Sequence, residues 1–315
     1  MEHASIPTVS VLIPAFNADC FLERAVTSAL NQTLRPSEII IVDDASTDTT
    51  LTLARDLSRD HSSIRVVALP RNGGPAIARN AAIDAATGEW LAILDADDAY
   101  DPDHLERLSL IAVEQRADIV LSNFRYFDPD SETRGSAGIP QDDRPRVVDR
   151  YEYVANARPF LDHQDWGLLK PMLKAAFVKT RSISYQIHSR HAEDFLMMLD
   201  CLLADGRIVI SPAPTYLYTH RGSGWSRTTV DYRAVAAQSA GLIRDPRIAH
   251  DQEMVRLLNS RICALKRLTA EYRGRTLLEN RAFRDLLFQS FTDYYVAKAT
   301  TRFALRRLRR LWSDA

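Results

Sequence analysis

The sequence predicts an α/β protein with a mainly parallel sheet flanked by helices. Over the first half of the chain, short runs rich in Val, Ile and Leu alternate with helix-patterned segments of about 10 to 15 residues, which is typical of such sheets. The 315 residues, 46% of them hydrophobic, suffice for a substantial core. We therefore expect one large domain over residues 1–225 and a helical region over residues 226–315.

The elements of the first half follow from their apolar patterns. The predicted strands are Val9–Ile13, Ile39–Val42, Ile64–Ala68 and Trp90–Leu94. The predicted helices between them are Phe21–Leu30, Thr49–Leu57 and Pro75–Ala86. A further helix is expected to start near Pro102, with Asp101 as its N-cap, because Pro is favoured at the first helical position.

The second half is less regular. Asp128–Arg150 is rich in Pro, Gly, Asp and Arg and is predicted to be a mobile loop. A structured block follows, with predicted elements at Gln164–Leu173, Ala192–Leu203, Arg207–Ile210 and Pro214–Thr219. Later periodicity predicts helices at Ala234–Ile243, Met254–Tyr272 and Leu277–Phe291, then a basic amphipathic helix around residues 298–312.

Bulk properties exclude several classes of protein. With 40 basic and 41 acidic residues, the net charge of −1 provides no overall attraction to nucleic acid. Cys20, Cys201 and Cys263 are odd in number and scattered, so we expect neither disulfides nor a zinc site. The N-terminus lacks the pattern of a secretory signal, and no apolar run reaches the roughly 20 residues of a membrane span. These features predict a cytoplasmic protein.

Clustered carboxylates at the end of one predicted strand indicate a metal site. The apolar run Leu91–Leu94 is followed directly by Asp95, Asp97 and Asp98. Carboxylates this close repel one another unless a cation or hydrogen-bond donors compensate, and oxygen ligands suit Mg²⁺ or Mn²⁺ shared with nucleotide phosphates. A calcium loop of the EF-hand type is excluded because Tyr100 stands where that loop needs Gly. A solvated, helix-capping acidic turn is the simpler alternative.

The other strand ends are polar as well. In a parallel sheet the carboxyl ends lie along one edge, where ligands bind. The four ends carry Pro14–Asn17, Asp43–Ser46, Arg71–Gly74 and Asp95–Asp98, with Arg79 nearby. This arrangement indicates a nucleotide site, although the first strand is followed by neither a Gly-x-Gly-x-x-Gly motif nor a phosphate-binding P-loop.

Four ordered motifs carry a family resemblance: VSVLIPAFN at 9–17, IIVDDASTD at 40–48, NGGPAIARN at 72–80 and DADD at 95–98. They resemble the inverting family-two glycosyltransferases of GT-A fold. The resemblance implies a uridine diphosphate (UDP) sugar donor and a divalent metal, Mn²⁺ or Mg²⁺, at the Asp-x-Asp motif. It also implies a nucleotide-sugar-binding half over residues 1–125 and an acceptor half over residues 126–225.

The resemblance assigns donor-binding roles residue by residue. Asp97 matches the metal ligand, and Asp95 matches a ribose or metal contact. Asp44 matches the carboxylate that receives the uracil N–H, a role that suits an acceptor-only group, with helix capping as the alternative. The loop with Pro14, Phe16 and Asn17 would frame the base.

Arg79 is expected near the diphosphate, because a guanidinium can bind two phosphate oxygens at once. A surface ion pair is the alternative interpretation of Arg79.

Direct displacement with inversion requires a base that takes the proton of the acceptor hydroxyl. By resemblance, Asp194 is this base and Glu193 orients it or contacts the acceptor; a helix-dipole effect alone is the alternative.

His220 is a candidate metal or phosphate ligand, with a structural role as the alternative. Trp166 and Trp225 are candidate acceptor contacts, although Trp166 fits an ordinary packed aromatic equally well.

The basic segment 298–312 has two open interpretations. It either makes peripheral contact with an anionic lipid surface at the inner face of the cell membrane, or it packs on its own domain.

The sequence thus predicts transfer of a sugar from a UDP-sugar to a hydroxyl of a glycan or lipid-linked oligosaccharide, in bacterial surface polysaccharide synthesis. The alternatives are a catalytically silent nucleotide-sugar-binding subunit and a metal-dependent nucleotidyltransferase.

Overall fold

The computed structural model describes residues 7–140, 144–188, 191–219 and 231–279. The chain divides into two compact units. The first comprises residues 1–153 and 162–228, and the second comprises residues 154–161 and 229–315. His220, Trp225 and the basic segment 298–312 lie outside the described residues.

The first unit is built on a mixed sheet that has ten strands in the described part of the chain. The strands are β1 Val9–Ala15, β2 Glu38–Asp43, β3 Ile64–Ala68, β4 Trp90–Ile93, β5 Ala99–Tyr100, β6 Ile119–Asp128, β7 Thr133–Ala137, β8 Arg146–Val148, β9 Lys170–Lys174 and β10 Ile208–Thr219. The main order across the sheet is β3-β2-β1-β4-β9-β6-β10-β5, with β7 on β6 and β8 on β10.

Helices connect these strands. They are α1 Leu22–Leu30, α2 Thr50–Asp60, α3 Pro75–Ala85, α4 His104–Glu114, α5 Arg150–Asn156, α6 Ala175–Thr180 and α7 Glu193–Leu203. A short 3-10 helix, Trp166–Leu168, precedes β9. The four strands and three helices predicted for the first 94 residues lie where their apolar patterns place them, and the α/β class is confirmed.

One antiparallel strand interrupts the sheet. Strands β1 to β4 pair in parallel, and so do β6 and β10, but β9 runs antiparallel between β4 and β6. Ala92 pairs with Met172, and Ser122 pairs with Lys170. Because β9 runs in the opposite direction, its first residue, Lys170, lies at the edge where β4 ends and Asp95 begins.

Several sequence expectations are wrong. Part of the predicted loop 128–150 forms β7 and β8, because each adds to an existing strand by antiparallel pairing. The two strands predicted at 207–219 are one strand, β10, with a register shift between Ser211 and Tyr216.

The predicted N-cap Asp101 is also wrong. Helix α4 begins at His104 and its N-cap is Asp103. Asp101 instead donates its backbone N–H to the carbonyl of Thr215 at 2.8 Å, and its carboxylate pairs with Arg134 at 2.9 Å.

The second unit is helical in its described residues. Helix α8 spans Tyr232–Leu242 and helix α9 spans Gln252–Glu279. The rings of Tyr232 and Tyr272 stack at 5.6 Å between centroids, and Leu258 is fully buried. The helix predicted to end at Tyr272 continues to Glu279, and the rest of the predicted helix 277–291 lies outside the described residues. Within the part of the chain that the structure describes, no helix combines the length and apolarity needed to cross a membrane.

Glu38, the first residue of β2, joins several segments at the edge of the sheet where the parallel strands β1 to β4 begin. Its Oε1 accepts hydrogen bonds from Ser10 Oγ at 2.8 Å and from the backbone N–H and Oγ1 of Thr87, both at 2.7 Å. Its Oε2 pairs with Arg65 at 2.9 Å. Burial opposes ionisation, but the hydrogen bonds from Thr87 and Ser10 and the pairing with Arg65 outweigh it and lower the pKa of Glu38 to about 2.

This lowered pKa makes the stability contribution of Glu38 depend on pH. The folded-state pKa lies below the unfolded value, so the contribution is complete above about pH 5 and is lost as the pH falls toward about 2. We expect Glu38→Gln to lower the free energy of unfolding by on the order of 2 kcal/mol at pH 7 and by less than half of that at pH 3. Denaturant unfolding at both pH values measures the effect.

The exposed Glu114, at the end of α4, provides the control. Glu114→Gln should change stability by less than about 0.5 kcal/mol at either pH. An equal loss in the Glu38 variant at pH 7 and pH 3 would contradict the role given to its ionised carboxylate.

Candidate functional site

The ends of β1 and β2 form an open polar surface. Pro14 is half-buried within β1, whereas Phe16, just beyond the strand, is 43% exposed. Asn17 has a left-handed backbone, with φ of 48°, and its Oδ1 accepts the backbone N–H of Thr47 at 2.8 Å. This hydrogen bond joins the loops after the two strands, and it leaves the Phe16 ring partly accessible.

Asp44 is buried behind this surface and is 3% exposed. Its two carboxylate oxygens accept the backbone N–H groups of Gly73 and Gly74, each at 2.8 Å. Gly74 has φ of 86°, a conformation that favours glycine, and helix α3 begins at the next residue. Burial raises the pKa of Asp44 despite these hydrogen bonds. Asp44 therefore orders the turn into α3. A nucleobase that bound Asp44 would use the same two oxygens that already accept these backbone N–H groups.

Asp95, directly after β4 and Leu94, is held by two cations. Its Oδ1 pairs with Arg79 Nη2 at 2.8 Å, and its Oδ2 pairs with Lys170 Nζ at 2.7 Å. Burial alone would favour the neutral acid, but Lys170 and Arg79 keep the pKa of Asp95 well below its usual range. Asp95 is therefore ionised at neutral pH.

The same two cations contact the first turn of α7. Arg79 Nη1 lies 2.9 Å from Glu193 Oε1 and 3.6 Å from Asp194 Oδ1. Lys170 Nζ lies 3.1 Å from Asp194 Oδ2. We call Arg79, Asp95, Lys170, Glu193 and Asp194 the charge cluster. It brings the carboxylate after β4 and the carboxylates of α7 into one largely buried site.

Helix α7 begins so that its acidic pair enters the charge cluster. Its N-cap, Ala192, has a left-handed backbone with φ of 63°, a conformation that is uncommon for alanine. Glu193 and Asp194 follow in the first helical turn, where the helix dipole favours negative charge. In the described structure, Asp194 Oδ1 is buried and accepts no hydrogen bond. The charged group nearest to this oxygen is Arg79 Nη1, at 3.6 Å.

The charge cluster changes the interpretation of Arg79 and adds Lys170. Arg79 is neither a surface ion pair nor an open diphosphate ligand in this structure, because it is 3% exposed and both of its Nη groups bind carboxylates. Lys170 is 6% exposed. It was not predicted from the sequence. The available signal was a lysine inside the apolar run Leu168–Leu173, but the sheet register that brings it to Asp95 is non-local.

The other two aspartates of the motif differ in environment. Asp98 is 2% exposed and accepts hydrogen bonds from Tyr216 Oη at 2.7 Å and from the Thr219 backbone N–H at 2.8 Å. Burial, with Asp97 and Asp95 nearby, raises the pKa of Asp98 well above its usual range. The backbone carbonyl of Asp97 accepts a hydrogen bond from Arg24. Asp98 therefore acts as a buried hydrogen-bond acceptor, and Asp95 and Asp97 remain as candidate metal ligands.

The donor set fits a metal that is shared with a bound nucleotide. Among the described residues, no three His, Cys, Asp or Glu side chains converge as a complete metal cage. Mg²⁺ commonly uses one or two carboxylates together with substrate phosphates and water. Asp95, kept ionised, and Asp97 could supply that number of ligands. His220, the third expected ligand, lies outside the described residues.

The expected acceptor contact through Trp166 is not supported by its placement. Trp166 is 3% exposed, in the 3-10 helix before β9. The guanidinium of Arg146 lies 5.0 Å from the centre of its ring. The ring therefore packs inside the unit rather than offering a face to a sugar. Trp225, the second expected contact, lies outside the described residues.

Comparison with known proteins relates this chain to one family. Residues 10–177 match the family model of glycosyl transferase family 2. The succinoglycan biosynthesis protein ExoO of Rhizobium meliloti is 30% identical over 222 residues, which is 70% of this chain and 63% of ExoO. ExoU of the same organism is 28% identical over 256 residues, 79% of this chain and 74% of ExoU. The chain thus matches less than two thirds of ExoO.

Solved structures share the fold. TarS 1–349 of S. aureus, in complex with UDP-GlcNAc, superimposes with a TM-score of 0.61. The superposition covers 86% of this chain and 72% of the TarS chain at 22% sequence identity. This similarity shows a common fold and confirms the GT-A architecture expected from the sequence.

The charge cluster predicts a large stability effect of Arg79. Removing one partner of a buried ion pair leaves a carboxylate without compensation, which costs about 3–5 kcal/mol. We expect Arg79→Met to lower the free energy of unfolding by this amount in urea, and Arg79→Lys to lower it less because the positive charge is kept.

Arg107, which pairs with Asp103 on the surface of α4, is the matched control. Arg107→Met should cost less than about 1 kcal/mol, because exposed ion pairs contribute little. If the Arg79 and Arg107 variants lost equal stability, the buried role of Arg79 would be wrong.

Proposed function

The chain belongs to glycosyl transferase family 2, and we propose that it transfers a sugar from a UDP-sugar donor to a hydroxyl of a glycan or lipid-linked acceptor, with inversion. The observation that carries this proposal is the charge cluster. It brings a donor-side carboxylate, Asp95, and a candidate base, Asp194, together at the carboxyl edge of the sheet. The UDP-GlcNAc bound to TarS supports a UDP-sugar donor.

The proposed donor site uses the ends of β1, β2 and β4. Phe16, 43% exposed, offers an apolar face to the nucleobase, and Asp44 accepts the N3–H of uracil with lone pairs left over from its contacts with the Gly73–Gly74 turn. Asp95 and Asp97 would hold Mn²⁺ or Mg²⁺. When bound, this ion would neutralise charge on the diphosphate leaving group.

The proposed base is Asp194. Its carboxylate, held by Lys170 in the charge cluster, removes the proton of the acceptor hydroxyl. As that proton leaves, the hydroxyl oxygen attacks the anomeric carbon. The bond from this carbon to the diphosphate oxygen breaks, and its electron pair departs with UDP. Direct displacement on one face inverts the anomeric configuration and requires no covalent intermediate.

The setting of the reaction follows from the relatives. ExoO and ExoU are named for succinoglycan biosynthesis, which supports a bacterial polysaccharide acceptor.

We propose peripheral membrane contact through residues 298–312, where basic side chains alternate with apolar ones at helical spacing. A lipid-linked acceptor would make such contact useful.

Release of UDP from a panel of UDP-sugars tests the function. The purified chain is incubated with each UDP-sugar and Mn²⁺, Mg²⁺ or a chelator, with and without short glycan acceptors, and released UDP is quantified. We expect metal-dependent release from one donor. Binding of UDP without release from any donor and acceptor would favour a silent subunit, and release of UMP would indicate a nucleotidyltransferase.

The base assignment predicts the effect of Asp194→Asn. An amide cannot take the hydroxyl proton, and general-base catalysis contributes about 10²–10⁴-fold. We expect the transfer rate to fall by this factor while UDP affinity changes far less. Asp200→Asn, on the same helix α7, is the control and should transfer at nearly the wild-type rate. Near-normal transfer by the Asp194 variant would remove this residue from the mechanism.

A further inference from the structure

Lys170 is a buried lysine that lies outside the four sequence motifs. It is 6% exposed, at the first position of the antiparallel strand β9. Burying an ammonium group is costly unless carboxylates compensate. Two carboxylates do so, Asp95 Oδ2 at 2.7 Å and Asp194 Oδ2 at 3.1 Å. Burial opposes the charge, but Asp194 and Asp95 keep the pKa of Lys170 well above its usual value.

The position of Lys170 makes it a shared partner. Asp95 belongs to the proposed donor side and Asp194 is the proposed base, so one ammonium group contacts both halves of the proposed reaction. The charge cluster holds two cations, Arg79 and Lys170, against three carboxylates. The carboxylates therefore outnumber the cations. When a cation binds one carboxylate more strongly, it binds its other carboxylate partner more weakly.

We propose that Lys170 is a positioning residue that couples cation binding at Asp95 to the state of Asp194. This inference rests on the proposed function for the roles of the two carboxylates. A divalent cation at Asp95 competes with the ammonium group, because both are attracted to the same carboxylate. As the contact between Lys170 and Asp95 weakens, Lys170 binds Asp194 Oδ2 more strongly and fixes the orientation of this carboxylate. Loading of the donor side thereby orients the base.

Thermodynamic linkage gives this coupling a measurable signature. If Lys170 competes with the cation, its removal strengthens cation binding while it impairs transfer, because Asp194 loses its partner. We expect Lys170→Met to bind Mn²⁺ at least about fivefold more tightly than the wild type, the lower end of typical coupling between sites. The same variant should transfer sugar at least about tenfold more slowly, at saturating donor. General damage to the fold would weaken both properties together.

The first measurement is a titration of the nucleotide-free full-length chain with Mn²⁺ alone, with free Mn²⁺ followed by electron paramagnetic resonance. Lys174→Met is the matched control, because Lys174 lies on the same strand and is exposed. It should bind Mn²⁺ like the wild type. Asp97→Ala should abolish the binding, which would show that the titration reports this site.

Two further variants keep the test decisive if Lys170→Met folds poorly. Lys170→Arg retains the charge and should restore Mn²⁺ affinity to within about threefold of the wild type. Asp194→Asn leaves Lys170 in place but removes its second carboxylate, so Lys170 pairs more fully with Asp95. We expect this variant to bind Mn²⁺ about fivefold more weakly. Thermal unfolding of every variant is recorded alongside the titrations.

The outcomes separate this inference from the proposed function. Unchanged or weaker Mn²⁺ binding by Lys170→Met overturns the coupling if that variant folds, and unchanged binding by Asp194→Asn overturns it in either case. Wild-type protein that binds no Mn²⁺ overturns it as well. Whether the wild type transfers sugar is decided independently by the UDP-sugar panel, so a failed titration with normal transfer rejects the coupling alone.

Discussion

The pairing of two buried cations, Arg79 and Lys170, with three partly or fully buried carboxylates is the constraint on which the site depends. Charges of one sign cannot be buried together without compensation, and here two cations meet three anions inside the first unit. Each charge comes from a separate part of the chain. Arg79 lies on α3, Asp95 follows β4, Lys170 begins β9, and the acidic pair opens α7. The charge cluster therefore forms only when these elements are assembled.

The direction of β9 makes this assembly possible. A parallel strand at this position would place its carboxyl end, with Lys174, beside Asp95. The antiparallel direction places Lys170 there instead and brings α6 to the opposite edge. That opposite edge is tied by a different ion pair, because Glu38 at the start of β2 binds Arg65, Ser10 and Thr87. At the edge where β1 to β4 begin, the polar groups thus bind one another. At the edge where these strands end, the polar loops surround the candidate site.

Local sequence patterns account for much of the fold and for part of the site. Strands β1 to β4 and helices α1 to α3 were predictable because their apolar periodicity is local and strong. Sequence motifs indicated Asp95 and Asp194 as candidate site residues. Lys170 was not predictable, because its partners depend on the register of β9. The packing of Trp166 was not either, because its ring contacts Arg146, which comes from β8. Short pairings such as β5 and β7 were missed because they exist only through neighbouring strands.

The acidic motif after β4 shows how environment separates residues of one chemical type. Asp95 and Asp98 are three positions apart, yet the pKa of Asp95 is lowered and that of Asp98 is raised. Both experience burial, which favours the neutral acid. Asp95 also meets two cations, whereas Asp98 meets the neutral donors Tyr216 Oη and the Thr219 N–H, together with neighbouring carboxylates.

The two aspartates consequently have different capacities. Asp95 keeps a negative charge, which Arg79 and Lys170 compensate. Asp98 joins the loop after β4 to the end of β10 through hydrogen bonds to Tyr216 and Thr219, which a neutral acid can maintain. A motif of adjacent carboxylates is thereby divided into an ionised group that faces the cations and a structural group that anchors the loop. Without Lys170 and Arg79, burial would disfavour ionisation of both aspartates, and the motif would lose the difference in charge between its first and last carboxylates.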